Sequence, residues 1–229
     1  MVETGKDLIK AMELLVQGEL VAIPTETVYG LAGNALDTQV ISRIFAVKNR
    51  PFFDPMILHT YDIQAIKDCI AEWPDVYTTL MEHFMPGPLT LLCRKTAKVP
   101  DLLTAGSGKV AIRIPNHPLT LSLLENLAFP LAAPSANPFG YISPTRPEHV
   151  ATQLGNHIPY ILDGGPCTVG VESTIIDFQD QQIIVLRKGG VSIEALEALC
   201  GSVIVFEQSV SNPSAPGMLH SHYAPGTPL

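Results

Sequence analysis

The longest apolar runs of this chain are the length of a β-strand. LVAIP at 20–24 and LTLLC at 89–93 fall far short of the roughly 20 residues that a membrane-crossing helix needs, so they are expected to lie buried in a globule. Hydrophobic residues make up 46% of the 229 positions, ample for the core of one domain. The opening stretch MVETGKDLIKAMELLVQGEL mixes acids and bases along a helical repeat. It has none of the basic start, apolar middle and small-residue cleavage site of a secretory signal, and the expected location is the cytoplasm.

Between the apolar runs the periodicity changes to that of helices. Leu8, Met12 and Leu15 recur at helical spacing before Gly18, and Val40, Ile41, Ile44, Phe45 and Val47 mark a second helix that Pro51 ends. Further helices are expected at 63–70, 75–84, 118–127, 146–154 and 192–199. Strands are expected at 20–24, 56–59, from 89, at 110–115, in PLAAP, and at 160–163, 173–177, 183–187 and 203–206. The mixture predicts an α/β fold: a single domain over 1–207 with a twisted mixed parallel and antiparallel sheet and helices packed around it. Residues 208–229 read as an extended linker or lid.

Two global features exclude function classes. The formal net charge of −8 argues against broad attachment to nucleic acid, whose non-specific affinity comes from neutralised phosphates. Cys69, Cys93, Cys167 and Cys200 form no C-x-x-C pair, so no zinc ribbon or thioredoxin motif is present. Glycine-rich phosphate loops, G-x-S-x-G elbows and H-E-x-x-H pairs are absent as well.

Four loops carry unusual residue choices. PTETVYGLAGNA at 24–35 is either a strand-to-helix turn capped by threonines or a small-ligand site, with hydroxyls for hydrogen bonds and glycines for close approach. KNRPFFDPMILH at 48–59 places Lys48 and Arg50 at a helix C-terminus, where they either cap the dipole or meet phosphate or carboxylate oxygens. Arg113 stands in the apolar strand AIRIP and needs an anion or solvent, while AAPSANPFGYISPT at 132–145 is a rigid polar loop. DGGPCTVGVESTIID at 163–177 is a glycine-rich turn entering a strand. Hydroxyls and arginines with few acids or bases suit chemistry run by positioning and charge neutralisation.

Taken together and in order, PTETVYGL, KNRP, PGPLTLL, AIRIP, APSAN, DGG and GVESTI resemble the motifs of the YrdC/Sua5 family of threonylcarbamoyl-AMP synthases. The resemblance covers residues 20–190. It implies a concave active-site face and a nucleotidyltransferase reaction: L-threonine, bicarbonate or CO2, and ATP give L-threonylcarbamoyl-AMP and pyrophosphate, for t6A modification of tRNA. Carried over by motif, Lys48 and Arg50 are the implied catalytic cations. Thr27, His59, Arg113 and Ser173 would line the threonine site, and Lys48, Arg50, Asp54, Ser135, Asn137, Ser143, Arg187 and Tyr223 the ATP site. No residue is assigned as a metal ligand. Mg2+ is expected with ATP, and no tightly bound organic cofactor.

The implied partners are the substrates and the transferase machinery that receives the adenylate, with at most weak RNA contact and no membrane. Asp54 stands where the family often has Asn, and Lys188 where it often has Pro. The tail SAPGMLHSHYAP looks like the linker of the longer Sua5 branch, so the chain is expected to carry that linker and lack the C-terminal domain. Two other readings remain at this stage, a non-enzymatic double-stranded RNA-binding module and a YrdC domain of the hydrogenase-maturation carbamoyltransferase type.

Overall fold

The computed structural model describes residues 2–206 and Pro216. A short strand, β1 (Glu3–Gly5), precedes helix α1 (Leu8–Val16), and the pair β2 (Val21–Ile23) and β3 (Gly30–Asn34) follows, then α2 (Thr38–Lys48) and β4 (Ile57–His59). A 3-10 helix (Gln64–Cys69) runs into β5 (Ile70–Glu72), α3 (Asp75–Phe84), β6 (Leu89–Lys95), β7 (Lys109–Arg113) and α4 (Pro118–Glu125). Next come β8 (Leu131–Ala132), α5 (Pro147–Leu154), β9 (Tyr160–Leu162), the hairpin β10 (Thr174–Gln179) and β11 (Gln182–Arg187), α6 (Ile193–Cys200) and β12 (Ile204–Val205).

The strands form one mixed sheet in the order β1-β9-β2-β3-β8-β4-β7-β6-β10-β11-β12, with β5 pairing β6 off this path. Both pairing senses occur: β4 with β7 and β6 with β10 are parallel, whereas β6 with β7 and β2 with β3 are antiparallel. Because successive strand residues face opposite sides, the sheet separates two cores. Ala22, Leu31 and Ala132 join the side carrying Ile44, Phe45, Tyr77, Leu154 and Leu196 of α2, α3, α5 and α6. Val21, Ala32 and Leu131 join the side carrying Leu15 and Leu123 of α1 and α4. The expected α/β class and mixed sheet are what the chain adopts. No helix of the described residues is long and apolar enough to cross a membrane.

Local chemistry sets the helix ends. Asp7 and Asp37 accept backbone N–H groups in the first turns of α1 and α2 at 3.0 and 2.8 Å, the usual N-cap arrangement. Asn49 ends α2 in the left-handed conformation with φ 50°, which asparagine tolerates better than most residues, and Pro51 prevents the helix from resuming.

Three elements differ from the sequence reading. Residues 30–34, expected as part of a turn into a helix, are strand β3. A Cβ at Gly33 would stand 2.5 Å from Val40 and 2.9 Å from Leu20, so this strand is pressed against α2 and is built of small residues in place of the branched ones that mark strands. The polar edge strand β1 has no apolar alternation to reveal it. Ile70, expected at the end of a helix, is extended and opens β5.

Candidate active site

A recess with an open volume of about 40 Å3 lies among the ends of β4 and β7 and the loops around them. Parallel pairing of β4 with β7 sets His59 and Arg113 opposite one another. Thr27 comes from the β2–β3 loop and Ser173 from the residue before β10. All four line the recess and all are buried. The threonine-site residues expected from the motifs therefore converge.

Each of these groups is oriented by a neighbour. The Ser173 and Thr90 hydroxyls lie 2.7 Å apart, and the Thr27 hydroxyl lies 2.8 Å from that of Thr25, which also donates to the Val28 carbonyl at 2.7 Å. His59 Nδ1 lies 3.2 Å from the Ile57 carbonyl. A carbonyl only accepts, so Nδ1 carries the proton and Nε2 is left as an acceptor. Burial, with the Arg113 charge beside it, pushes the His59 imidazole down to about 3, and at neutral pH it is uncharged.

Arg113 donates from Nε to the Gly87 carbonyl at 3.3 Å and from Nη2 to Glu26 Oε1 at 2.7 Å. Both residues are buried, at 4% and 6% exposure. Removing one partner of such a pair costs about 3–5 kcal/mol, because the other is left as an uncompensated charge.

The other cations come from α2, the loop after it and β11. Arg50 lines the recess, donates to the carbonyls of Asp54 and Pro55 at 3.0 and 2.7 Å, and pairs with the Asp54 carboxylate at 2.8 Å. Asp54 thus faces a guanidinium; burial pushes its carboxyl up, against the pull of Arg50, Lys48 and Arg187. Arg187 lines the recess and donates to the carbonyl and hydroxyl of Ser173 at 2.9 and 3.1 Å and to the Pro216 carbonyl at 3.3 Å.

Lys48 is buried beside this group and is absent from the recess lining. Its amine donates to the Ser135 carbonyl at 2.5 Å and to the Asn137 carbonyl. Burial, aided by the Arg50 charge, holds it well below the ordinary lysine value. Asn137, also absent from the lining, closes its own loop by donating to the carbonyls of Pro138 and Tyr141 at 2.9 and 2.8 Å. Ser135 lines the recess, and Ser143 reaches it through Glu172, to which its hydroxyl donates at 2.5 Å. Tyr223 and the expected lid lie outside the described residues, apart from Pro216.

In the DGG turn packing requires Gly164, and a left-handed backbone, φ 77°, favours glycine at 165. Tyr29 donates to the Gly165 carbonyl at 2.8 Å and accepts from Gly164 N at 3.2 Å. A Cβ on Gly164 would meet the His117 ring at 2.5 Å and Pro24 at 2.6 Å. The following segment is tied to the PTET loop through Val169 N to Glu26 O at 2.7 Å and Gly170 N to Thr27 O at 3.0 Å. Sequence reasoning passed over Glu26, Thr90 and Glu172; Glu26 had a signal, a carboxylate in the middle of the motif that supplies Thr27. Among the described residues no three His, Cys, Asp or Glu side chains gather in a way that could hold a metal ion.

Two family models match the chain. The Sua5/YciO/YrdC family model, described as "Telomere recombination", matches residues 13–189. A second model, described as "Threonylcarbamoyl-AMP synthase, C-terminal domain", matches residues 191–229. That match overturns the expectation that the chain lacks the C-terminal Sua5 domain. Within the described residues it covers α6 and β12, and these pack on the main sheet: β12 pairs β11 and Leu196 joins the larger core. A run that joins the same sheet and core carries no local mark of a second domain.

The chain is 44% identical over 97% of its length to a threonylcarbamoyl-AMP synthase of Bacillus subtilis, and 43% identical over 91% to one of Pyrococcus abyssi. It spans 65% and 63% of those two proteins. The crystal structure of P. abyssi Sua5 complexed with L-threonine superposes with a TM-score of 0.94 at 39% identity, covering 98% of this chain and 69% of that one. With a family model spanning most of its length and the motif residues gathered in one recess, the chain belongs to the Sua5/YciO/YrdC family.

Proposed function

We propose that the recess makes L-threonylcarbamoyl-AMP and pyrophosphate from L-threonine, bicarbonate and ATP, supplying the activated intermediate of tRNA t6A modification. The observation that carries the reading is the convergence of Thr27, His59, Arg113 and Ser173 with Arg50 and Arg187 in one recess, in a chain similar throughout to a Sua5 complexed with L-threonine.

The amine of threonine condenses with bicarbonate, losing water, to give a carbamate. A carbamate oxygen then attacks the α-phosphorus of ATP, and pyrophosphate leaves with the α–β bridging oxygen. Both reactants are anionic, so guanidiniums positioned in advance lower the barrier by offsetting their repulsion. With His59 neutral and its Nε2 an acceptor, its role is to accept a hydrogen bond from the threonine ammonium or hydroxyl. A group titrating near 3 is too weak a base to work efficiently near neutral pH. No protein cage for Mg2+ exists among the described residues, so the ion belongs with the ATP phosphates as part of the substrate, and no step is drawn through it. The adenylate would pass to a transferase that acts on tRNA.

The test is pyrophosphate release from ATP and bicarbonate with and without L-threonine, and with carbamoyl phosphate as an alternative donor. Strict threonine dependence is expected. Equal release without threonine, or release that requires carbamoyl phosphate, overturns the reading.

A further inference from the structure

Among the described residues Glu26 is the one acidic side chain that grips Arg113, and no substrate role is assigned to it above. Its Oε1 accepts from Arg113 Nη2 at 2.7 Å and its Oε2 from the backbone N–H of Asn116 at 2.9 Å. One carboxylate thus holds both the guanidinium of Arg113 and the backbone three residues further on, where the chain leaves β7. It is only 6% exposed and does not line the recess, whereas its neighbour Thr27 does.

The pairing leaves Arg113 in a defined state. Nε is engaged by Gly87 and one Nη2 proton by Glu26, while Nη1 makes no hydrogen bond among the described residues. A guanidinium has five N–H donors in a rigid plane, so fixing two of them from behind fixes the direction of the rest. Arg113 lines the recess, in register with His59. A planar fork with free donors, steadied by a buried carboxylate, suits a carboxylate ligand taken up in two-point fashion.

We propose that Glu26 is a positioning residue for the carboxylate of the amino-acid substrate, acting through Arg113 and serving the amino acid while leaving the nucleotide unaffected. The inference rests on the threonine-dependent reading above. Glu26 keeps Arg113 charged and aligned, so the substrate carboxylate meets a donor fork that needs no reorganisation. The Arg50 and Asp54 pair lies on another loop and makes no hydrogen bond or ion pair with Glu26 in the described contacts.

The full 229-residue chain is assayed as wild type, Glu26→Gln and Glu26→Asp. KM is measured separately for L-threonine and ATP, L-threonine binding is followed by calorimetry, and folding is checked by circular dichroism and melting. Glu26→Gln removes the charge but keeps the shape, and it is expected to raise the threonine KM and dissociation constant at least about tenfold, with the ATP KM within about twofold of wild type. Glu26→Asp keeps the charge but withdraws it by one methylene, and is expected to raise the threonine KM about threefold, between the other two.

A folded Glu26→Gln protein that binds threonine as wild type does overturns the proposal, as does an equal rise in both KM values, which marks a merely structural role. If Glu26→Gln does not fold, Glu26→Asp decides alone, with an unchanged threonine KM counting against. Failure of the underlying functional reading looks different: the wild-type protein itself then shows no threonine dependence and no threonine binding.

Discussion

The strand residues and the loop residues of the recess are positioned by different means. His59 and Arg113 stand on adjacent parallel strands, where ladder hydrogen bonds set their register and a buried carboxylate and a carbonyl hold the arginine from behind. Arg50 and Ser135 lie on loops after a helix and a two-residue strand, and the buried lysine that ends that helix ties the Ser135 loop to it through two of its carbonyls. A sheet aligns side chains as a by-product of its own pairing. Loops need a dedicated tie, and here the tie is a buried amine that pure sequence reasoning assigns to the substrate.

Three measurements break or sharpen this contrast. The largest effect is expected at the strand-built side: Arg113→Met should cut threonine-dependent turnover at least about a hundredfold, near 2.7 kcal/mol in the barrier. It should also lower the melting temperature, since Glu26 is left buried without its partner. A loss below tenfold in a folded protein would show that the strand side does not dominate.

On the loop side, Arg50→Ala should lower turnover about tenfold or more, near 1.4 kcal/mol, chiefly through ATP. Unchanged turnover in the folded variant would place the phosphates elsewhere.

The smallest effect on turnover belongs to Lys48→Met, whose clearest signature is in stability. Because burial holds Lys48 well below 10.5 in the folded chain, between that lowered value and 10.5 the unfolded chain binds a proton that the folded chain does not. Unfolding free energy therefore rises with pH through this window, by at most about 1.4 kcal/mol per pH unit. Urea unfolding at pH 8, 9 and 10 should show that rise in the wild type and a flatter profile in Lys48→Met. Equal slopes would mean that Lys48 keeps its charge when buried.

Much of this was legible in the sequence for identifiable reasons. The helices announce themselves because their apolar faces repeat locally, as with Val40, Ile41, Ile44 and Phe45, and the end of α2 because Pro51 acts through its own backbone. The motif loops supplied Thr27, His59, Arg113 and Ser173 as a set, and the structure brings those four together. Strand β3 escaped notice because GLAGN owes its small side chains to α2 lying against it, a contact that has no trace within five residues of sequence. The partners of the cations escaped for the same reason: Arg113 finds Glu26 87 positions away, and Lys48 finds the Ser135 carbonyl at the same separation.

What the sequence by itself determined is the inventory: an α/β chain, most of its helices and buried strands, and the hydroxyls and cations of the motif stretches. These follow from local periodicity, capping and proline geometry, forces that act within a few residues. Only the tertiary structure decided the contacts within that inventory, such as which arginine is steadied by which carboxylate and which carbonyls a buried lysine meets. The physical reason is that burial and charge pairing are settled by what lies next to a side chain in space, and strand register brings together residues that the sequence keeps dozens of positions apart.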